Sequence, residues 1–292
     1  MYGGMPQPDH SASPLVSVIV PTYNRPALLD RALRSILGQT FREFEIVLVN
    51  DGGPDMRTVL DELQCGQVLR YLAHPSNKGP AAARNTGLRE ARGKYIAYLD
   101  DDDIYDPDHL ETLVDFLENG DYHVAYTDAR RAWQELREGE LVTTQTDTPY
   151  SWEFDRDQLL DSNYIPILCI AHRRSCLDEA GMMDESLPVL EDLDLWIRMS
   201  RVHEFAHIRK VTCEFSWRPQ SESLSTKQDQ FSDALSVIYK KYAIHRKEVQ
   251  HRKTIKALEH ELGLLRGELQ NAKDQIRALE SELERRSGSG TV

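Results

Sequence analysis

The chain has 292 residues, of which 40% are hydrophobic and 28% are charged, and its formal net charge is −13. A chain of this length can form one large domain or two smaller ones with a sizeable core. The acidic balance argues against a general nucleic-acid-binding protein, which would carry a basic patch, but it is compatible with one basic pocket for a phosphate.

The cysteines and the apolar runs give a first indication of location. The four cysteines are scattered and include no CxxC pair, so they indicate neither a zinc site nor a disulfide framework, and they favour a reducing cytoplasm. Residues 1–14 are rich in Gly, Pro and Ser without the apolar run of a signal peptide, which predicts a disordered leader. No run of 18 apolar residues is present, so no membrane span is expected, and peripheral membrane contact stays open.

The first part of the chain predicts strands that alternate with helices. Apolar runs predict strands at residues 15–20, 45–50, 68–73 and 95–99, and helical spacing predicts helices at residues 26–37, 55–63 and 80–91. This alternation predicts a parallel sheet with right-handed crossovers, an architecture of the nucleotide-binding type. The dinucleotide fingerprint GxGxxG is absent, so an NAD site is not expected.

Residues 100–103, which we call the acidic run, place four consecutive aspartates directly after the fourth predicted strand. In open α/β sheets, ligands bind beyond the carboxyl ends of the strands. Adjacent carboxylates need solvent or a cation, and Mg²⁺ often bridges carboxylates to a substrate diphosphate. The run therefore predicts either a metal–diphosphate site or a solvated acidic loop that caps the helix after Pro107.

Other polar residues follow the same strands, at the same predicted edge of the sheet. They are Thr22, Tyr23, Asp51, Lys78 and Arg84. Asp51 can accept a hydrogen bond from a base imide such as uracil N3, or it can form an Asx turn before Gly52. Lys78 and Arg84 supply positive charge for a diphosphate, or they are ordinary surface charges. Small residues surround Arg84, which leaves room for a ligand.

Together these motifs resemble the successive motifs of family 2 glycosyltransferases over residues 15–225. They are Pro21-Thr22-Tyr23-Asn24-Arg25, Val49-Asn50-Asp51-Gly52, Asn77-Lys78-Gly79 with Arg84-Asn85, and Leu99 with the acidic run. The resemblance implies the GT-A fold, a Rossmann-like and mostly parallel α/β sheet flanked by helices. It also implies transfer from a nucleotide-sugar donor with inversion at the anomeric carbon and a divalent cation, Mn²⁺ or Mg²⁺.

The resemblance implies roles for individual residues. Asp102 would ligate the metal and Asp100 would face the ribose, while the Asp at position 101 stands where the family is usually variable. The nucleotide-sugar site would comprise Pro21, Thr22, Tyr23, Asn24, Asp51, Lys78, Arg84, Asp100 and Asp101.

The second half begins with a predicted helix at residues 107–117 and a strand at residues 122–128. The pattern further predicts a hairpin within 130–148, a helix at 155–160, strands at 165–171 and 211–215, and helices at 173–180 and 193–201. Glu191 and Asp192 precede the last helix, where acids can simply cap it and oppose its dipole. An inverting transfer also needs a base for the acceptor hydroxyl. The family motif points to Asp192 as that base and to Glu191 as its neighbour.

Residues 216–225 resemble the family's closing loop, which often reads Arg-x-His-x-x-Ser-x-Ser. Gln220 stands where the His would be, and its amide can bond a phosphate oxygen but is a poor metal ligand. Trp196 suits a core position or a sugar platform better than catalysis. The candidate contacts of the diphosphate or the acceptor are Trp196, Arg218, Gln220 and Ser223.

The chain becomes helical from about residue 228 and then shows a heptad repeat. Its core positions are Ile255, Leu262, Leu269, Ile276 and Leu283, alternating with Leu258, Leu265, Ala272 and Leu279. This spacing predicts a coiled coil, with one amphipathic helix lying on its own domain as the alternative. In a parallel pair Glu261 faces Arg266 and Glu268 faces Lys273, whereas an antiparallel pair would bring the glutamates together. A parallel homo-oligomer is expected, with a dimer favoured over a trimer.

The sequence thus predicts a catalytic domain at residues 15–246, a coiled-coil arm at 247–286, and a flexible tail or cloning scar at 287–292. The predicted enzyme is cytoplasmic, with the inner face of the membrane left open, and transfers a sugar to a hydroxyl of a glycan or lipid-linked saccharide. Asp51 favours a uridine donor. One alternative is a sugar nucleotidyltransferase, which would need a Gly-rich basic loop after the first strand. Another is a coiled-coil scaffold with a non-catalytic sugar-nucleotide-binding head.

Overall fold

A computed structural model describes residues 13–137, 140–218 and 228–288 of the chain. The fold has two units, Met1–Ile238 and Tyr239–Val292. The first unit contains a mixed sheet with its helices, and the described part of the second unit is mainly one long helix.

The amino-terminal part of the first unit alternates strands and helices, as predicted. Its elements are β1 (Val16–Thr22), α1 (Pro26–Leu37), β2 (Phe44–Asn50), α2 (Arg57–Leu63), β3 (Leu69–Ala73), α3 (Pro80–Glu90) and β4 (Tyr95–Tyr98). The four strands lie in the order β3-β2-β1-β4 and are all parallel. Almost every residue of β1, β2 and β4 is buried, so both faces of these strands are covered. This burial explains why each strand is a nearly continuous apolar run.

The register of these strands aligns their carboxyl ends. Thr22 at the end of β1 lies opposite Asn50 at the end of β2. Just beyond β4, the amide of Leu99 donates a hydrogen bond to the carbonyl of Ile19 at 3.0 Å. The loops that follow β1, β2 and β4 therefore leave the sheet at one edge, which we call the carboxyl edge.

The remaining elements complete the first unit and form the second. They are β5 (Ile104–Tyr105), α4 (His109–Asn119), β6 (Val124–Arg137), β7 (Glu140–Asp147), α5 (Arg156–Leu159), β8 (Ile170–Arg173), α6 (Cys176–Ala180), α7 (Glu191–Met199), β9 (Phe205–Trp217), α8 (Gln228–Lys241) and α9 (Ala243–Gly288). In the described residues the sheet has nine strands, ordered β3-β2-β1-β4-β8-β6-β9-β5, with β7 paired to β6. β8 is antiparallel to both β4 and β6, whereas β6 and β9 are parallel.

Several predicted elements have different bounds in the structure. The predicted hairpin is confirmed as the pairing of β6 with β7, and the residues between them lie outside the described part of the chain. β9 begins six residues before the predicted strand, because the exposed side chains of Arg209 and Lys210 interrupt its apolar pattern. These two residues lie where the register between β6 and β9 shifts. The predicted strand at 165–171 is partly a 3₁₀ turn, Ile167–Cys169, before β8.

The second unit contains most of the predicted heptad repeat within a single helix, α9, which has 46 residues. Its apolar heptad residues are roughly half exposed, for example Ile255 at 55% and Leu262 at 47%. None of the described helices is both long and apolar enough to cross a membrane.

Candidate active site

The acidic run lies at the carboxyl edge, in the turn between β4 and β5. Asp101 is buried and accepts hydrogen bonds from the hydroxyl of Thr22 at 2.8 Å, the amide of Tyr23 at 3.4 Å and Nη1 of Arg25 at 3.2 Å. Burial and the neighbouring charge of Asp102 raise the pKa of Asp101 to about 6, and the guanidinium of Arg25 opposes that rise. Asp101 therefore fastens the loop after β1 to the acidic run.

Asp102 is the more accessible carboxylate of this pair and is flanked by two arginines. Its Oδ2 accepts a hydrogen bond from Nη1 of Arg25 at 3.2 Å and another from Nη2 of Arg218. Both of these hydrogen bonds are to Oδ2 and not to Oδ1. Burial raises the pKa of this carboxyl group, and Arg25 opposes the rise. A divalent cation prefers carboxylate oxygens, so Oδ1 of Asp102 fits the role of a ligand.

The last residue of the run is held by β9. The carboxylate of Asp103 is buried and accepts a hydrogen bond from the amide of Ser216 at 2.9 Å. The hydroxyl of Ser216 donates to the carbonyl of Asp102 at 2.6 Å. The end of β9 therefore fixes the main chain on which Asp102 is carried.

Arg84 joins the acidic run to the second acidic cluster. Its side chain projects from α3, is 4% exposed, and donates hydrogen bonds to Asp100 at 2.5 Å and to Glu191. Although burial opposes it, the charges of Asp100 and Glu191 raise the pKa of Arg84, so the guanidinium is permanently charged. Burial raises the pKa of Glu191, and Arg84 counters that effect. The ion pairs bring α3, the end of β4 and α7 to one place.

The small residues around Arg84 are packed into the first unit. Ala81, Ala82 and Ala83 are buried, and a Cβ atom at Gly87 would lie 2.7 Å from Cγ2 of Ile19. The lack of a side chain at Gly87 lets α3 pack closely on β1.

Asp51 is buried at the end of β2 and organises the loop before α3. Its carboxylate accepts hydrogen bonds from the amides of Lys78 at 2.9 Å and Gly79 at 2.8 Å, and it contacts Nδ1 of His74 at 2.6 Å. The turn at Gly53 is closed by Asn50, whose Oδ1 accepts a hydrogen bond from the amide of Gly53 at 2.9 Å. The turn after β2 is therefore closed by the side chain of Asn50, whereas the carboxylate of Asp51 bonds to the loop before α3.

Asp192 lies in the first turn of α7 and is partly accessible. Its Oδ2 accepts a hydrogen bond from Nδ2 of Asn163 at 3.0 Å. Its Oδ1 accepts a hydrogen bond from the amide of Leu193 at 2.7 Å. Burial raises the pKa of Asp192, and the hydrogen bond from Asn163 opposes that rise. The helix begins at Glu191, two residues earlier than predicted, and its N-cap residue is Leu190 with φ of 64°. Asp192 is therefore not the N-cap.

The other predicted contacts divide into three groups. Arg218 lies in the site, where its Nη2 donates a hydrogen bond to Oδ2 of Asp102. Trp196 has no exposed surface and packs edge-on against Tyr98 at a centroid distance of 6.0 Å, so it lies in the core. Gln220 and Ser223 lie outside the described residues. At the mouth of the site, Tyr23 is 49% exposed and Asn24 adopts φ of 60°.

Three residues in the site were not singled out from the sequence. Arg25 was only part of a quoted motif, yet it contacts both Asp101 and Asp102. His74 connects Asp51 to the hydroxyl of Thr86, with Nε2 2.9 Å from that oxygen. Asn163 holds Asp192 from 29 residues away. The loop positions of His74 and Asn163 carry no pattern that would have revealed them.

A mixed α/β sheet with an aspartate run after its fourth strand is the arrangement of the GT-A fold. The structure resembles Staphylococcus aureus TarS in complex with UDP-GlcNAc, with a TM-score of 0.64 and 20% identity over 80% of this chain and 70% of that one. It also resembles a mannosyltransferase from Pyrobaculum calidifontis in complex with GDP-Man and Mn²⁺. The TM-score is 0.59, and the identity is 19% over 82% of this chain and 66% of that one.

The family follows from the sequence comparison. The model of glycosyl transferase family 2 matches residues 17–177, more than half of the chain, so the chain belongs to this family. A relative is an uncharacterized glycosyltransferase of Rickettsia prowazekii, 32% identical over 197 residues, or 65% of this chain. The chain spans only 60% of the length of that relative.

Proposed function

We propose that this chain is a metal-dependent, inverting glycosyltransferase that moves a sugar from a nucleotide-sugar to a hydroxyl of a glycan or lipid-linked saccharide. The ion pairs of Arg84 with Asp100 and Glu191 are the main support, because they unite the acidic run with the helix that carries Asp192. A donor-side carboxylate cluster and an accessible candidate base therefore share one edge of the sheet.

In the proposed reaction, Asp192 accepts the proton of the acceptor hydroxyl while that oxygen attacks the anomeric carbon. The bond from this carbon to the nucleoside diphosphate breaks on the opposite face, which inverts the configuration. Because burial raises the pKa of Asp192, its ionised form is a stronger base than an exposed aspartate. Asn163 holds one carboxylate oxygen and thereby orients the base.

On the donor side, Asp102 would hold a divalent cation, Mn²⁺ or Mg²⁺, which when bound neutralises charge on the departing diphosphate. Asp100 would face the ribose. The Mn²⁺ in the mannosyltransferase structure supports the cation, as does the oxygen-only chemistry of the acidic run. Arg25 and Arg218 both form ion pairs with Asp102, and their guanidinium groups are suited to contact phosphate oxygens when the donor arrives.

The proposed donor is a UDP-sugar. Asp51, at the end of β2, would recognise the uracil ring together with the loop that it organises. TarS was solved with UDP and with UDP-GlcNAc, whereas the mannosyltransferase holds GDP-Man, so the base is the first property to test. A panel of UDP- and GDP-sugars, assayed with Mn²⁺ and a saccharide acceptor for nucleoside diphosphate release, tests the proposal. A separate assay with a nucleoside triphosphate and a sugar 1-phosphate tests the first alternative, because release of inorganic pyrophosphate from that pair would indicate a nucleotidyltransferase. Thermal stabilisation by the nucleotide-sugars without turnover would indicate a binding head.

We also propose that α9 pairs in parallel with a second copy of the chain, with a dimer favoured over a trimer. The apolar residues at its heptad positions are 47–61% exposed in the single chain, which is costly for a continuous stripe. The expected location is the cytoplasm, including the inner face of the membrane, on the basis of the cysteine pattern.

A further inference from the structure

A second group of metal-ligating side chains lies at the opposite edge of the sheet from the acidic run. It comprises the imidazoles of His123 and His203 and the thiol of Cys176, whose candidate ligand atoms all lie within 4.8 Å of one another. β8 is antiparallel to β4 and to β6, so β6 runs in the same direction as β4. His123 precedes β6, whereas the acidic run follows β4. The cluster is therefore remote from the candidate active site.

Main-chain pairing brings the three side chains together. The amide of Arg173 donates to the carbonyl of His123 at 2.8 Å, which places the start of α6 beside the start of β6. Sγ of Cys176 lies 3.8 Å from that same carbonyl. Val124 pairs with Phe205, so the turn before β9 lies next to His123. The imidazole rings of His123 and His203 have a centroid distance of 4.9 Å.

One ligand atom of this cluster lacks a hydrogen bond. Nε2 of His203 is buried and makes no hydrogen bond to any of the described residues. A carboxylate oxygen of Glu179, on α6, lies 3.5 Å from it. A buried imidazole nitrogen without a hydrogen bond is unfavourable, and coordination of a cation by its lone pair would remove that cost.

We propose that His123, Cys176 and His203 bind one Zn²⁺ ion, with the carboxylate of Glu179 as the fourth ligand. On binding, the thiol of Cys176 loses its proton to solvent and the thiolate coordinates the ion. Bond lengths of about 2.0–2.3 Å put tetrahedral ligand atoms roughly 3.3–3.8 Å apart, so the cluster must contract by about 1 Å. The exposed side chain of Glu179 can move to complete the shell.

The donor atoms determine which metal binds. Nitrogen and sulfur ligands in a tetrahedral set favour Zn²⁺, whereas the oxygen-only acidic run favours Mg²⁺ or Mn²⁺. The ion would tie together three segments, namely the start of β6, α6 and the turn before β9. We therefore expect this zinc site to stabilise the fold and to have no part in the proposed transfer reaction.

The test uses the full chain, freed of metal with a chelator and titrated with Co²⁺ as a spectroscopic substitute for Zn²⁺. We expect one equivalent of Co²⁺ to produce the near-ultraviolet charge-transfer band of a cobalt thiolate, and we expect Zn²⁺ to displace it. Mg²⁺ and Mn²⁺ should not displace Co²⁺. The Cys176→Ser variant should lack the band, and Cys65→Ser, the matched control, should keep it. Absence of the band from the parent protein, or its presence in Cys176→Ser, would overturn the proposal.

A second variant guards against misfolding of the first. His203→Gln retains the thiol but loses an imidazole ligand. The Co²⁺ concentration that gives half the maximum intensity of the band should therefore rise by about tenfold or more. Unchanged Co²⁺ affinity in a folded His203→Gln protein would also overturn the proposal. Zn²⁺ should raise the melting temperature of the parent protein, and this rise should be smaller in both variants.

Discussion

The guanidinium of Arg84 is paired with the carboxylate of Glu191, 107 residues later in the chain, and both side chains are buried. Replacing Arg84 with Ala leaves a buried carboxylate without its partner. We expect a loss of about 3–5 kcal/mol in the free energy of unfolding, measured by urea denaturation. Arg89 lies on the same helix and has an exposed ion pair with Glu185, so Arg89→Ala should cost only about 0–1 kcal/mol. Equal losses in the two variants would contradict this account of the pair.

The Asp192→Asn variant tests the proposed base. The amide keeps the size of the side chain and much of its hydrogen bonding but cannot accept the proton, so kcat should fall by about 100-fold or more. Donor affinity, measured by calorimetry, should change little. Asp178→Asn on α6 is an exposed control that should leave kcat unchanged. Loss of donor binding together with turnover would make Asp192 a binding or structural residue instead.

The pH dependence of turnover should reveal the environment of Asp192. Only the ionised carboxylate can act as the base, so kcat should fall as the pH drops through the raised pKa of this group. Asn163 donates a hydrogen bond that favours the ionised form, and Asn163→Ala removes it. The acidic limb of the kcat profile should therefore move to higher pH in this variant.

The control for this shift is the exposed residue Asn119, whose side chain bonds only to the backbone of α4 among the described residues. Asn119→Ala should leave the pH profile in place. A purely structural role of Asn163 would lower kcat by the same factor at every pH, which is the result that would rule out its effect on Asp192.

Removal of the cation should mimic loss of Asp102. The Asp102→Ala variant should lose turnover and metal-dependent donor binding, and EDTA should have the same effect on the parent protein. Added Mn²⁺ or Mg²⁺ should restore activity to the EDTA-treated parent, whereas Zn²⁺ alone should not. Asp115→Ala, an exposed carboxylate on α4, serves as the control. A parent rate that EDTA does not change would refute metal dependence.

The heptad seam of α9 can be tested within the full chain. The double variant Leu262→Lys with Leu269→Lys places charges at two core positions and should be monomeric by light scattering, whereas the parent should be oligomeric. Leu264 is 59% exposed, close to Leu269 at 55%, but lies outside the seam, so Leu264→Lys should remain oligomeric. A chain ending near Arg246 should be monomeric and still turn over donor. A monomeric parent protein would refute the proposed role of the arm.

The sequence alone was sufficient for features that depend on local pattern. The nearly continuous apolar runs of β1, β2 and β4 predicted the parallel part of the sheet, because strands covered on both faces consist mostly of apolar side chains. The acidic run was placed correctly at a strand end, because four aspartates directly follow the apolar run of β4. Where the pattern is interrupted, as at Arg209 and Lys210 in β9, the predicted strand was too short.

Contacts between distant segments required the tertiary structure. The partners of Arg84 on the acidic run and on α7, the Asn163 contact to Asp192, and the burial of Trp196 all depend on how elements pack, which spacing along the chain does not encode. The cysteines gave no sign of a metal site, since the proposed zinc ligands come from three segments that meet only through strand pairing. Local periodicity determined the elements of this protein, and long-range packing decided which of their side chains meet.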